Sequence, residues 1–449
     1  MPIENLPALF QENFTSLGEL GASVCVWQDG REVLSLAGGF KDRAQTEPWV
    51  TETPVLFWSA TKGLSAACLL HACQEHAVSP LTRVAELWPE FAQAGKERVT
   101  IAELLSHQAG LAALSREADA QNHAAVAAAL AAEAPHWPLG AGHGYHPRTF
   151  GYLVDEMLRR ITGGVTLRDY WRAQFAEPLG LDVWIGMPPA RVAEASSIFP
   201  AKTAPPKGDP FYTAFMTPGS LTARAFASPR GLHSVASMNA PDARASSFGA
   251  FGGIGTARGL AKFYALLARG GALDGRRFFE PSTLDWMTTT LTEGPDRVLQ
   301  IDTAFSAGFM RDPLNARGAK LRTHFGPSPR AFGHPGAGGS HAFADPDTGL
   351  AFAYAMNQME PGVLPGPKCL RLIAALRLTP LHPDHGHHHL PPMRRAAMLE
   401  KKNALPRPEL HAPLRYRHHL ARPRQHHPQM VHSDCRPVKK QSGFFRCRS

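Results

Sequence analysis

A serine three residues ahead of a lysine, Ser59-Ala60-Thr61-Lys62, occurs once in the chain, directly before a stretch that reads as a buried helix. Residues 64–73, Leu-Ser-Ala-Ala-Cys-Leu-Leu-His-Ala-Cys, are mostly small or apolar, and no charge follows until Glu75. A helix that is apolar all round belongs inside a large domain, and small side chains let its neighbours pack closely. Phe57-Trp58 just upstream would bury the approach to it. Positions i and i+3 share one face of a helix, so the Lys62 amine can reach back to the Ser59 hydroxyl. A serine hydroxyl is a poor nucleophile until a base takes its proton. A lysine that is desolvated or beside another cation can be that base. Ser59 also falls at or near the helix N-terminus, where free amides favour developing negative charge. The plainer reading makes Ser59 a helix cap and Lys62 a surface residue.

A core of this kind needs length, and 449 residues supply it for one large or two ordinary domains. The net charge of +9 is misleading for the whole chain. Residues 378–449 hold 14 Lys/Arg against 4 Asp/Glu, so the remaining 377 residues are close to neutral. The tail also holds 11 of the 22 histidines, many prolines and no apolar period. It is expected to be disordered and dispensable. Its Asp384–His389 run has donors for weak transition-metal binding and its arginines suit phosphates, but it lacks the interleaved aromatics of a nucleic-acid binder. No nucleic-acid partner is expected. Charges or prolines interrupt every long apolar run, so no membrane span is expected either. The N-terminus shows no secretory pattern and six scattered cysteines form no disulfide framework, which points to the cytoplasm.

Residues 23–28 and 31–37, joined at Asp29-Gly30, read as a β-hairpin. Residues 80–180 are mainly helical in pattern, with an alanine-rich stretch at 124–134 and an amphipathic segment from Phe150 to Ile161. Residues 186–250 read as long loops. Helical periodicity returns at Ala257–Arg269. Residues 341–345 and 350–356 read as a second hairpin, and a short helix near 367–377 ends the globular body at residue 377.

Two further segments carry chemistry. Gly144-Tyr145-His146-Pro147 presents a tyrosine on a loop between helices. A phenol near ~10 can act as acid or base where a neighbouring ammonium lowers its pKa, and Lys62 would be such a neighbour. By itself a loop tyrosine is more often a packing residue. Gly333-His334-Pro335-Gly336-Ala337-Gly338-Gly339-Ser340 is dense in glycine, as where backbone approaches a substrate closely, or as an ordinary turn. If His334–Ala337 is a strand, Ala337 N–H can aim at an oxyanion together with Ser59 N–H. His71 and His76, five residues apart on the helix that also carries Cys73, sit ~140° from each other and do not converge, so no metal site is expected, and no cofactor is expected either. Ser340 is a rival nucleophile but lacks the Gly-x-Ser-x-Gly elbow, and His107 reads as structural.

Together these segments resemble the serine hydrolases related to class C β-lactamases, including esterases and D-alanyl-D-alanine peptidases. Ser59 and Lys62 match the family's Ser-x-x-Lys. Tyr145-His146-Pro147 corresponds to its Tyr-x-Asn, and His334-Pro335-Gly336 to its Lys-Thr-Gly, often His-Thr-Gly in esterase-like members. The phrases Leu104–Leu111, Glu177–Leu181 and Gly253–Leu267 are also similar, and the likeness spans roughly residues 15–375. It implies an α+β fold, an antiparallel sheet flanked by helices. The α/β part would comprise about 1–78 and 250–377, with a largely helical insert at about 79–249. It also implies an acyl-enzyme on Ser59, proton transfer by Lys62 and Tyr145, and oxyanion and substrate binding by Ser59, His334, Gly336 and Ala337. Pro147 in place of asparagine and His334 in place of a permanently charged lysine favour a neutral ester over a penicillin. The expected partner is a small ester or amide. The alternatives are a β-lactamase or D-alanyl-D-alanine carboxypeptidase, and a catalytically inactive ligand-binding module.

Overall fold

The computed structural model describes residues 2–377; the basic tail and the disorder expected of it lie outside the described residues. The first hairpin pairs β1 (Gly21–Gln28) with β2 (Arg31–Gly39). Asp29 and Gly30 both take positive φ, 52° and 77°, the two-residue turn whose twist matches a hairpin. The chain returns to the same sheet through β3 (Thr292–Pro295), β4 (Asp302–Phe305), β5 (Met310–Arg311), β6 (Phe332–Pro335), β7 (His341–Asp345) and β8 (Leu350–Met356). The eight strands lie in the order β2-β1-β8-β7-β6-β5-β4-β3, antiparallel at every step.

Both faces of the central strands are buried, and side-chain size sorts them. Ala342, Ala344, Ala351, Ala353 and Ala355 line one face, where a helix can approach closely. Helix α4 (Ala257–Ala268) lies there against β1, β7 and β8; its label follows α1 (Leu6–Ser16), α2 (Thr61–Glu75) and α3 (Thr149–Thr162) in chain order. Phe343, Phe352, Tyr354 and Met356 line the other face, packed with Leu6 and Phe10 of α1 and Leu372 and Ile373 of α5 (Pro367–Arg377). The period of two in residue size thus assigns each face its covering helix. Each large apolar side chain so buried contributes about 2 kcal/mol.

Helix α2 is buried along residues 61–73, as an all-round apolar helix must be, and packs on α3. The fold is a mixed architecture of helices on both faces of an antiparallel sheet, the α+β arrangement that the resemblance implies. Residues 186–250 depart from the expected long loops. They carry a 3-10 helix, Pro189–Glu194, and four short α-helices, Pro210–Met216, Leu221–Ala227, Val235–Met238 and Pro241–Ala245. None exceeds seven residues, too short to show a period or to stand without tertiary packing. Among the described residues no helix is long and apolar enough to cross a membrane.

Candidate active site

Ser59 does not sit on α2 itself. It lies in a short 3-10 turn, Trp58–Ala60, that leads into the helix. Trp58 takes φ 50°, a left-handed conformation that is uncommon for a large side chain. The turn is held from both sides. Thr61 donates its hydroxyl to the Trp58 carbonyl at 2.5 Å and accepts the Gly253 N–H at 2.8 Å. Phe57 N–H donates to the Gly253 carbonyl at 2.8 Å. Residues 253–255 pair as a strand with residues 55–56, so the approach to Ser59 is anchored in a small sheet of its own.

Lys62 is fully buried on the first turn of α2. Its Nζ lies 3.3 Å from Ser59 Oγ, 2.8 Å from the Pro147 carbonyl and 2.9 Å from the Ala250 carbonyl. It also lies 4.7 Å from the centre of the Tyr145 ring. Among the described residues no carboxylate pairs with it. Burial, and next the positive charge of Arg148, hold its pKa well below the usual lysine value. A neutral amine has two N–H donors and one lone pair. Two carbonyls and one hydroxyl surround it, so donating to both carbonyls leaves the lone pair for the Ser59 proton. The Ala250 carbonyl reaches Lys62 because Gly151 on α3 has no side chain; a Cβ there would stand 2.4 Å from the Ala250 nitrogen.

Tyr145 is buried, with its phenol beside Ser59. Burial raises its pKa, and the charge of Asp296 adds to that, so the phenol rests protonated. The lowering expected from a neighbouring ammonium does not occur, because burial outweighs every other influence on the phenol. Asp296 holds the loop: it accepts the Tyr145 N–H at 3.0 and 3.1 Å, the Val298 and Leu299 amides at 2.8 and 2.9 Å, and the Thr303 hydroxyl at 3.1 Å. His107 packs edge-on against the Tyr145 ring and accepts the His146 N–H at 3.2 Å. His146 donates from Nδ1 to the Gly144 carbonyl, 2.7 Å, and accepts the Leu111 N–H at Nε2, 2.9 Å.

His334 stands on β6 with its ring centre 5.9 Å from that of Tyr145. Its Nδ1 donates to the Pro335 carbonyl at 2.7 Å, and its buried Nε2 has no hydrogen-bond partner among the described residues. Burial, and then the proximity of Lys62, hold its pKa well below 6.5, so it presents a neutral ring. The expected strand over His334–Ala337 stops short. Strand β6 ends at Pro335, and Ala337 opens a 3-10 turn to Gly339 in which Gly338 takes φ 83°. The proline and the left-handed glycine end the ladder there. Gly336 lies against the Ser59 segment, since a Cβ on it would stand 2.0 Å from the Phe57 carbonyl oxygen. Among the described residues neither Ser59 N–H nor Ala337 N–H has a partner, and both residues are half-buried.

Ser59, Lys62, Tyr145, His334 and the Gly336–Ala337 turn are thus brought together at one locus. His71 and Cys73 lie elsewhere: His71 hydrogen-bonds the Tyr170 hydroxyl at 2.8 Å within the core, and burial pushes the Cys73 thiol up to about 12. Ser340 is buried behind the Gly336 turn, whose N–H donates to the Ser340 carbonyl at 2.6 Å. Sequence reasoning missed Asp296, Arg148 and Ala250. A carboxylate or guanidinium in a long loop carries no signal of its partner, and a backbone carbonyl carries none at all.

Ser59, half-buried, with the buried Lys62 and Tyr145 beside it and the inner strand β6 alongside, forms a grouping suited to nucleophilic hydrolysis. The chain belongs to the beta-lactamase family of hydrolases, whose description, Beta-lactamase, matches residues 7–374. It is 32% identical over 351 residues to the esterase/beta-lactamase LipL of Mycobacterium tuberculosis, covering 76% of this chain and 77% of that one. It is similar to a penicillin-binding protein homologue from Caulobacter crescentus, at 36% identity and TM-score 0.74, with 83% of this chain and 96% of that chain covered. A family VIII carboxylesterase structure is 32% identical with TM-score 0.75, covering 84% of this chain and 96% of that chain.

Proposed function

We propose that the chain hydrolyses small, uncharged carboxylic esters through an acyl-enzyme on Ser59. The observation that carries this reading is the Lys62 amine, buried without a carboxylate, between two carbonyls and the Ser59 hydroxyl. Lys62 takes the Ser59 proton as Oγ bonds to the ester carbon. The amides of Ser59 and Ala337 stabilise the oxyanion, a contribution in which each donor typically matters ~100- to 1000-fold. As the tetrahedral adduct collapses, the proton passes from Lys62 through the Tyr145 phenol to the departing alkoxide. Water then attacks the acyl carbon by the same route in reverse, releasing the acid and restoring Ser59.

Specificity follows from His334 and Pro147. A neutral imidazole at the Lys-Thr-Gly position supplies no fixed charge for a β-lactam carboxylate, and Pro147 offers no side-chain amide; its carbonyl is occupied by Lys62. The similarity to a family VIII carboxylesterase and to an esterase/beta-lactamase supports esters as the substrate class. Comparing p-nitrophenyl butyrate with nitrocefin at equal enzyme tests the ordering. Faster ester turnover, with a burst of nitrophenol absent in Ser59→Ala, is expected; faster nitrocefin turnover refutes it.

A further inference from the structure

The two carbonyls that hold Lys62 belong to Pro147 and Ala250, and the next residue after each is a member of one contact. The Arg148 guanidinium lies 4.6 Å from the centre of the Phe251 ring. Its two terminal nitrogens donate to the Leu232 carbonyl at 3.0 Å and the Gly231 carbonyl at 2.5 Å. Phe251 is itself fixed by stacking on Phe248 at 5.0 Å. Arg148 is buried, and among the described residues no carboxylate forms an ion pair with it. A buried guanidinium whose two terminal nitrogens meet only neutral carbonyls, beside a ring face, keeps its charge unshielded.

We propose that Arg148 is a positioning residue for Lys62. Its contact with Phe251 ties together the two chain segments whose carbonyls cradle the amine, and its unpaired charge beside that cradle adds to burial in disfavouring a proton on Lys62. This inference rests on the reading of Lys62 as the base that activates Ser59. The other groups that face Lys62 are neutral: the Tyr145 phenol and the His107, His146 and His334 rings, the imidazoles held well below their ordinary pKa by burial. Arg148 is therefore the nearby full charge that the cradle feels. Its effect has two phases. It disfavours proton uptake at rest, and it urges the proton onward once Lys62 has taken it from Ser59.

The test is the pH dependence of Ser59 labelling by a fluorophosphonate probe, read by intact mass, in wild type, Arg148→Met, Arg148→Gln and Arg148→Lys. Loss of the charge should move the acid limb of the labelling rate about one pH unit upward, a roughly tenfold slower reaction below the limb. The high-pH plateau should change far less. Arg148→Lys, which keeps the charge and loses the fork, should leave the limb in place while lowering the plateau. If Arg148→Met fails to fold, Arg148→Gln, which keeps a polar end without the charge, carries the comparison. Rates lowered equally at every pH, with the limb unmoved in the uncharged variants, would make Arg148 a structural prop and overturn the inference. Absence of labelling in wild type would instead overturn the proposed function on which it rests.

Discussion

Replacing Gly336 by alanine adds one methyl group where the turn after β6 passes the segment leading to Ser59. The backbone at Gly336, φ −111° and ψ 146°, is a conformation that alanine adopts freely, so any effect comes from contact alone. The new Cβ would stand 2.0 Å from the Phe57 carbonyl oxygen and 3.3 Å from Ser340 Cβ. A carbon and a carbonyl oxygen settle at about 3.3 Å, so the two backbones must separate by roughly 1.3 Å. The proposed oxyanion donors, Ser59 N–H and Ala337 N–H, belong to the two segments that this opening separates. A misplacement of about 1 Å can cost ~100-fold in rate, comparable to losing one oxyanion donor. Overpacking of this kind costs about 1–3 kcal/mol of stability, which a domain of this size survives. Gly336→Ala should therefore be folded by circular dichroism, melt a few degrees lower, and hydrolyse p-nitrophenyl butyrate about 100-fold more slowly or worse. A folded variant with wild-type rate and burst would show that the turn has no part in the oxyanion site.

Removing the Asp296 carboxylate strands the buried amides of Tyr145, Val298 and Leu299, at about 1–3 kcal/mol each. Asp296→Ala should lose more than ~3 kcal/mol in urea denaturation, and a loss below ~1 kcal/mol would count against its role in holding the tyrosine loop. His334→Lys should raise the ratio of nitrocefin to p-nitrophenyl butyrate turnover about tenfold by adding a charge for an anionic substrate; an unchanged ratio would remove His334 from substrate selection. His146 and His341 are buried with pKa values lowered to about 3 by desolvation first. Below about 6.5 the unfolded chain protonates these rings while the folded chain does not, so stability falls as pH drops from about 6.5 toward 3. The slope is about 1.4 kcal/mol per pH unit for each ring. Denaturation midpoints that stay flat between pH 6.5 and 5 would contradict the burial of these rings as neutral species.

The hairpin at 341–345 and 350–356 was legible because alternation, turn residues and strand length all agree there. The same holds for the Asp29-Gly30 hairpin and for the helices at 149–162 and 257–268, whose apolar faces repeat at the helical period. Strands β3 to β5 were not legible: two to four residues each, they owe their conformation to neighbours across the sheet. The short helices within 210–245 hide for a related reason, although Asp209-Pro210 and Ser220 show in hindsight the capping residues that start two of them. Ser59, Lys62 and Tyr145 could be singled out because their chemistry is written in side chains. What surrounds Lys62 could not. Its environment consists of two carbonyls delivered by distant segments, a glycine on α3 that lets one of them in, and an arginine that no motif marks.

The measurement that bears most directly on this account is mass spectrometry of the enzyme quenched in acid during turnover of p-nitrophenyl butyrate, followed by peptide mapping. A butyryl adduct on the peptide carrying Ser59, lost in Ser59→Ala and slow to form in Lys62→Met, is the predicted result. An adduct on another residue, or steady turnover with Ser59→Ala, would contradict it.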